Sequence, residues 1–379
     1  MPANTLGIYV HIPFCRAKCN YCAFVSRADA GTLHHPYVAA LCGEITTAGG
    51  DFSVPVDTIF FGGGTPTILA AAELTAILQT LRTAFSVTAD AEISLEANPG
   101  TVGVESLKAL RQAGFNRLSL GVQSFDDAVL ATIGRIHRAE EAESAFAQAR
   151  AAGFTNISLD LMYGLPTQKL PGWSETLKRA VALGPDHISA YGLKLEEGTP
   201  LEVDVAAGRM ALPPEEEEEA MYDLLNDFLP SQGFVRYEIS NYAVGGRECR
   251  HNLKYWRYLQ YRGFGVAAHS FDGTDRFANT EDIPQYIERL AAQKTSEDFR
   301  ETMDEPTAMA EFVFLSLRTT KGLSKQDFAD RFGKNFTEIF EAPVSRLTKI
   351  GLLVEDNDSW HLTARGMKLG NQAFAEFLP

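Results

Sequence analysis

The first half of the chain alternates short β-rich runs with segments whose apolar residues recur at helical spacing. Each such run predicts a strand, and each predicted strand is followed by a predicted helix. A repeating strand–helix order of this kind predicts a parallel sheet with helices packed against it. The predicted strands are Leu6–Ile12, Thr58–Phe61, Ile93–Ala97, Arg117–Val122, Ile157–Met162 and His187–Tyr191.

Chemically specialised residues follow these strands, always at the carboxyl end. Since parallel strands bring their carboxyl ends to one edge of a sheet, the motifs that follow them converge on one rim. The sequence therefore predicts a ligand site at that rim. The motifs are the cysteines after the first strand, and then Gly62-Gly63-Gly64-Thr65-Pro66, Glu96-Ala97-Asn98-Pro99, Gln123-Ser124 and Tyr163-Gly164-Leu165-Pro166.

The pattern changes after about residue 196. The acidic run at residues 215–219 suits the first turn of a helix, and Phe234–Ile239 predicts a strand. The last 75 residues predict three helices and a hairpin, which is the order of a winged helix. We therefore divide the chain into residues 1–200, 201–304 and 305–379. The elements of the last part are Ala308–Leu317, Lys325–Phe332, Phe336–Ile350, Leu352–Glu355 and Trp360–Leu362.

Charge and length limit the classes of function. The 379 residues carry 34 basic and 49 acidic side chains, a net charge of -15, which repels phosphate backbones. The predicted helix Phe336–Ile350 holds only Arg346 and Lys349 as bases, so the winged helix favours packing or a protein partner over nucleic acid. No apolar run reaches the roughly 18–20 residues of a membrane span, and we expect a cytoplasmic protein.

Three of the five cysteines, Cys15, Cys19 and Cys22, have the spacing C-x3-C-x2-C. Thiolates hold iron–sulfur clusters, and three of them leave one iron open to chelate S-adenosylmethionine (SAM). The alternative is a structural zinc site with His11 or Cys42 as the fourth ligand, but this spacing is unusual for zinc. The pattern favours a cluster, and we expect Cys42 and Cys249 to be structural thiols.

Four segments together carry a family resemblance: Tyr9–Cys15, the three cysteines, Phe61–Thr67 (FGGGTPT) and Asp160–Pro166 (DLMYGLP). They resemble the radical SAM proteins related to oxygen-independent coproporphyrinogen dehydrogenase. The resemblance implies an α/β fold, a partial (β/α)6 TIM-like barrel, with a [4Fe-4S] cluster and SAM at its open rim. The positions that match SAM contacts in relatives are Tyr9, Gly63, Gly64, Thr65, Glu96, Gln123, Arg135 and Asp160.

The alternative for Glu96 and Asp160 is a structural role in helix caps or ion pairs, and for Arg135 a surface position. Their common place at the rim favours contact with the ligand.

Two departures separate this chain from the dehydrogenase. Phe24 stands where the enzymes have a fourth cysteine, and about five residues precede the first strand where the enzymes carry an extension. The segment His251–Trp256 (HNLKYW) instead resembles the H-N-x-x-Y-W signature of the radical SAM haem chaperones, the HemW group. That resemblance implies haem bound at His251, with Tyr255 and Trp256 as the flat apolar surface.

Charge near this signature agrees with an anionic ligand such as a porphyrin propionate. Residues 247–262 carry one acid, Glu248, and five bases, Arg247, Arg250, Lys254, Arg257 and Arg262. The alternative is a segment that caps the barrel and holds His251 in the core. His269 is the second choice of haem ligand; its segment, G-x-G-x-x-A, lacks the strand and acid that a dinucleotide loop needs.

We therefore expect a haem chaperone that delivers haem to apo-haemoproteins such as respiratory enzymes, with no catalytic residue of its own. A homodimer and peripheral contact with a membrane stay open. The alternative is an oxygen-independent coproporphyrinogen III dehydrogenase. A third class, a DNA regulator with an iron–sulfur sensor, lacks the basic recognition helix it would need.

Overall fold

The computed structural model describes residues 5–28, 30–51 and 54–378. Its strands are β1 (Leu6–Ile12), β2 (Phe14–Cys15), β3 (Arg27–Ala28), β4 (Val56–Gly63), β5 (Val87–Ala97), β6 (Arg117–Gln123), β7 (Ile157–Tyr163), β8 (His187–Gly192), β9 (Val235–Arg236), β10 (Asn241–Ala243), β11 (Tyr261–Phe264), β12 (His269–Phe271), β13 (Asp275–Asn279), β14 (Glu297–Thr302), β15 (Leu323–Ser324), β16 (Leu353–Glu355) and β17 (Ser359–Leu362).

The helices surround the strands in chain order. They are α1 (His34–Ala48), α2 (Ala71–Ala84), α3 (Val104–Ala113), α4 (Asp127–Thr132), α5 (Ala139–Ala151), α6 (Leu170–Ala182), α7 (Pro200–Ala206), α8 (Glu215–Ser231), α9 (Arg250–Trp256), α10 (Ile283–Ala291), α11 (Glu305–Leu317), α12 (Lys325–Phe332), α13 (Phe336–Ile339), α14 (Glu341–Lys349), α15 (Ala364–Lys368) and α16 (Gly370–Ala375). None of the helices among the described residues is both long and apolar enough to span a bilayer.

Six parallel strands form the centre of the fold in the order β1-β4-β5-β6-β7-β8. A helix follows each of these strands, so the predicted partial (β/α)6 barrel is confirmed. All six predicted strands form, and β1 has the predicted bounds. The largest difference is β5, which begins at Val87 because polar residues such as Asp90 interrupt the apolar pattern without ending the strand.

Residues after 200 extend this sheet on both sides. Strand β11 pairs in parallel with β1 and is followed by antiparallel β12, β13 and β14, while β10 pairs antiparallel with β8. The predicted strand Phe234–Ile239 is wrong in extent, since only Val235–Arg236 forms. Glu238 interrupts it, because its buried carboxylate accepts bonds from Ser240 N and Asn241 Nδ2 in the turn before β10.

Alternate residues of the central strands face opposite sides of the sheet. One set is apolar and packs against the helices in the main core, for example Ile8, Val10, Ile59, Leu95, Leu118 and Leu159. The other set lines the interior of the barrel and is polar, for example Thr58, Glu92, Ser94, Arg117, Ser119 and Ser158. The helices therefore close the outside of the barrel and leave a polar interior that runs from the amino to the carboxyl ends of its strands.

The C-terminal segment has the order helix, strand, two further helices and a hairpin, and its small sheet has the order β15-β17-β16. The predicted winged helix is confirmed, with its own core around Phe312, Phe328 and Trp360. The predicted single helix Phe336–Ile350 is wrong, since it divides at Phe340 into α13 and α14. Pro343 lacks the amide that a continuous helix would need there, but it suits the first turn of a new one.

The core assignment makes a stability prediction. Leu118 lies in β6 with 0% exposure, so Leu118→Ala leaves a cavity and should lower the free energy of unfolding by about 2–5 kcal/mol. Val235 is 60% exposed, and Val235→Ala is the control, with an expected change within about 0.5 kcal/mol. Urea unfolding followed by circular dichroism measures both. Equal effects of the two substitutions would contradict the assigned core.

Candidate functional site

The cysteine loop leaves the barrel through β2 and returns through β3. These strands pair in parallel, Phe14 with Arg27 and Cys15 with Ala28. His11 fastens the far end of the loop, with its Nε2 2.8 Å from the carbonyl of Val25 and its Nδ1 3.1 Å from the Tyr9 hydroxyl. Burial lowers the pKa of His11 to about 4, so the ring is neutral and both nitrogens have partners. His11 therefore shapes the loop and is not free to act as a fourth metal ligand.

The three thiols lie partly exposed on this loop. The Thr65 hydroxyl donates to Cys15 Sγ at 3.6 Å, and Arg135 donates to Cys19 Sγ at 3.5 Å. Burial raises the pKa of Cys22, and the neighbouring Cys19 raises it further. Hydrogen-bond donors and a guanidinium aimed at sulfur stabilise thiolates, so these residues fit a thiolate-bound cluster.

The thiols do not converge on a single point. In the part of the chain that the structure describes, no three Cys, His, Asp or Glu side chains are gathered around one metal-sized position. A single zinc ion needs such convergence, whereas a cubane cluster takes each thiolate on a different iron. The donor set therefore suits a cluster better than zinc.

The glycine loop after β4 lies directly against the cysteine loop. Gly64 N donates to the Ile12 carbonyl at 2.9 Å, and Thr65 N donates to the Phe14 carbonyl at 2.7 Å. A Cβ on Gly64 would lie 2.6 Å from the Phe14 oxygen and 3.0 Å from Cys15 Sγ. Gly63 has φ +110°, a conformation that side chains disfavour. Glycine is thus required here for the two loops to meet.

A chain of hydrogen bonds crosses the rim from Thr65 to the end of β6. Asn98 Nδ2 donates to Thr65 Oγ1 at 2.8 Å, and Arg135 donates to Asn98 Oδ1 at 2.7 Å and to the Gly121 carbonyl. Arg135 is therefore built into the site and is not a free surface residue. Asn98 was not among the predicted SAM contacts, although its position directly after the third strand was the available signal. These groups line a small cleft beside Cys19.

Two carboxylates meet inside the barrel near the rim. Glu96 Oε2 accepts from Gly63 N at 3.3 Å, and Asp160 accepts from Ser119 Oγ at 3.0 Å. Burial, and then the nearby charge of Asp160, raise the pKa of Glu96 to about 8. Burial and Glu96 also raise the pKa of Tyr9. A cationic ligand here would favour the ionised form of Glu96, which makes this pair suited to an amino or sulfonium group.

Gln123 completes the set at the rim. It ends β6 with φ +66°, a left-handed conformation that is uncommon outside glycine, and its Nε2 lies close to Gly121. All the predicted SAM contacts therefore lie at the rim or in the interior directly beneath it.

The predicted haem residues lie elsewhere. Helix α9, which carries HNLKYW, covers the amino ends of the strands, and Glu92 of β5 accepts bonds from Arg250 N at 3.2 Å and His251 N at 3.1 Å. His251 is 1% exposed. Its Nδ1 is 2.9 Å from the Thr58 hydroxyl and its Nε2 is 2.8 Å from the Tyr255 hydroxyl. Trp256 packs under the guanidinium of Arg318, 4.4 Å from the ring centre.

The two groups of residues lie at opposite ends of the barrel. Thr58 contacts His251 and Gly63 contacts Glu96, and both belong to β4 (Val56–Gly63). Five residues of strand separate them, which is about 16 Å at about 3.3 Å per residue. The structure thus gathers the cysteines and predicted SAM contacts, but not His251, Tyr255 or Trp256. His269, the second choice of haem ligand, is exposed at the start of β12.

The expectation that Lys254 faces an anionic ligand is wrong. Lys254 is 0% exposed, with its Nζ 2.6 Å from Asp57 Oδ1 and 2.9 Å from Thr5 Oγ1. Arg250 is also engaged, with Asp57 and Asp90 each at 3.7 Å. A count of charges along residues 247–262 missed these acids, because they come from strands almost 200 residues earlier.

Comparisons with known proteins agree with this architecture. The family model "Radical SAM superfamily" matches residues 9–180, and the model "HemN C-terminal domain" matches residues 303–369. Among solved structures, coproporphyrinogen III oxidase (HemN) from Escherichia coli superposes with a TM-score of 0.86 at 27% identity, over 100% of this chain and 91% of that one.

Curated relatives match over nearly the whole length. "Heme chaperone HemW" of Bacillus subtilis is 38% identical over 374 residues, covering 98% of both chains. "Heme chaperone HemW" of Escherichia coli is 34% identical over 385 residues, again covering 98% of both.

The pKa of Glu96 makes a prediction about pH. Because the folded-state pKa of about 8 lies above the ordinary 4.5, the folded chain holds a proton that the unfolded chain loses between these values. Stability from this group is therefore present at low pH and lost as pH rises towards 8. Glu96→Gln should become more stable relative to the parent between pH 5 and pH 9, by at most about 1.4 kcal/mol for each pH unit crossed between the two pKa values. Urea unfolding of the cluster-free chains at both pH values measures this, and a constant difference would contradict it.

Proposed function

Because the chain belongs to the HemW family of radical SAM proteins, we propose that it is a haem chaperone, which binds haem and delivers it to apo-haemoproteins. The observation that carries the proposal is the full-length similarity to proteins named Heme chaperone HemW, together with the HNLKYW segment at His251–Trp256. The proposed role is binding and transfer, with no catalytic residue assigned.

The proposal includes two cofactors at the rim. Cys15, Cys19 and Cys22 would hold a [4Fe-4S] cluster, and the bonds from Thr65 and Arg135 to sulfur support this. When bound, the cluster and SAM supply one-electron chemistry. This chain's own part is to orient the thiols through the glycine loop and to offer SAM the residues Tyr9, Gly63, Gly64, Thr65, Glu96, Gln123, Arg135 and Asp160.

Haem is proposed to bind through His251, with Tyr255 and Trp256 nearby. Burial lowers the pKa of His251 to about 3, which keeps the imidazole neutral and leaves it one lone pair for iron. As the helix stands, however, both ring nitrogens are hydrogen bonded, so the residues are of the right kind but are not open to a ligand.

Delivery to respiratory enzymes, a homodimer and peripheral contact with a membrane belong to the same proposal as its finer parts. The similarity to haem chaperones supports delivery to haemoproteins in general.

The ligand assignment is tested by titrating cluster-loaded protein with haem and following Soret absorbance. His251→Ala should abolish the stoichiometric complex, because the axial ligand is lost, while leaving the iron content unchanged. His269→Ala is the matched control and should bind haem like the parent, since this histidine is exposed and distant from α9. Unchanged haem binding by His251→Ala would refute the assignment, and loss in the His269 variant alone would move it there.

The second candidate function is coproporphyrinogen III dehydrogenase, which the structural likeness to HemN favours. Phe24 opposes it: the side chain is 67% exposed beside the cysteine loop, at the position of the enzymes' fourth cysteine. We expect no protoporphyrinogen when the loaded protein is incubated anaerobically with SAM, reductant and coproporphyrinogen III. The Escherichia coli HemN enzyme serves as the positive control, and product formation by this chain would establish the alternative.

A further inference from the structure

The HNLKYW helix is held against the barrel by contacts outside its own sequence. Glu92 accepts from the first amides of α9 and from the Cys249 thiol at 3.7 Å. At the other end of the helix, Lys254 is paired with Asp57 at 2.6 Å, with exposed fractions of 0% and 4% for the two side chains. We call these two contacts the basal contacts.

The environment of His251 decides which nitrogen is available to a ligand. Nδ1 faces Thr58 in β4, and Gly7 of β1 lies so close that an added Cβ would approach His251 Cε1 to 3.4 Å and Lys254 Cδ to 2.7 Å. A macrocycle cannot enter on this side without separating the helix from the sheet. Nε2 points away from the strands, but the Tyr255 hydroxyl occupies it.

The ring faces are covered as well. Phe60 stacks on His251 at 5.4 Å, and Tyr255 meets its edge at 5.1 Å. On the far side of the helix, Trp256 lies under Arg318, which is itself paired with buried Glu238 at 2.9 Å. The helix is thus enclosed between the barrel and the start of the C-terminal domain.

From this geometry we propose that α9 is a masked haem-binding element: haem binds His251 Nε2 only after the basal contacts release the helix and the Tyr255 hydroxyl leaves the ring. The inference rests on the proposed haem function and adds to it a control of haem access by Asp57, Glu92 and Tyr255. The released form places Lys254 and Arg250 in water, where they are free to meet propionates.

The masked arrangement has an energetic consequence. If only the released form binds, the apparent dissociation constant is the intrinsic one divided by the released fraction. Weakening the enclosed form should therefore tighten haem binding, whereas weakening an ordinary preformed site would loosen it. The direction of the effect distinguishes the two arrangements.

Asp57→Asn tests this direction. The substitution leaves the ammonium of Lys254 buried without its counter-charge, so the enclosed form loses stability and the apparent haem affinity should rise by about tenfold or more. Asp90→Asn is the matched control: Asp90 pairs with the same helix through Arg250, but its side chain is 81% exposed and its pair contributes little. We expect the affinity of this variant to stay within about twofold of the parent.

Tyr255→Phe provides a second variant in case the Asp57 variant does not fold. It removes one oxygen atom, keeps the ring and uncovers Nε2, so it should also raise the apparent affinity and the association rate. An unchanged or weaker affinity in both variants, with their folds intact by circular dichroism, would overturn the proposal.

Hydrogen–deuterium exchange gives a readout independent of haem affinity. In the cluster-loaded parent without haem, amides of residues 250–256 should exchange slowly, and saturation with haem should increase their exchange while the amides of β4 stay protected. Equal protection with and without haem would show binding to the enclosed helix and overturn the proposal. Haem binding that survives His251→Ala would instead refute the proposed function, so the two failures are distinguishable.

Discussion

Charge buried inside the barrel is the constraint on which the rest of this structure depends. The central strands turn their polar residues inward, and Arg117 of β6 lies among them with 2% exposure. It interacts with Glu92 on one side and with Asp160 on the other. An unpaired charge at such a depth costs several kcal/mol, so the carboxylates and the guanidinium require one another. One cation thus connects the amino end of the barrel with the region beneath its rim.

The two ends use their carboxylates differently. At the amino end, Glu92 accepts hydrogen bonds from the first amides of α9, where a negative charge suits the helix dipole. Near the rim, Glu96 has one amide partner and Asp160 as a neighbour, and its pKa is about 8. The amino end is therefore satisfied within the chain, whereas the rim retains an acid that gains from a cationic ligand. This asymmetry locates the cofactor side of the barrel independently of the cysteines.

The sequence predicted the barrel well because strand and helix periodicities are local properties. The same is true of the rim, since Cys15, Thr65, Glu96 and Gln123 each follow a strand, and parallel topology alone brings them together. Asn98 and Arg117 were missed as site residues although signals were present: Asn98 directly follows a strand, and Arg117 begins one. The division of the helix at Phe340 was missed because the apolar spacing continues through Pro343, whose effect on the backbone outweighs periodicity.

The basal end shows where sequence patterns lose their meaning. Residues 247–262 form a basic segment along the chain, yet in three dimensions Asp57, Asp90 and Glu92 face it from β4 and β5. His251 and Tyr255 are spaced by four residues, as a ligand and its neighbour on one helix face would be. The same spacing lets them bond to each other in the enclosed helix. A matching signature is therefore explained equally by ligand binding and by closure of the barrel. The two explanations exclude each other only while α9 stays in place, so a helix that can leave the barrel reconciles them.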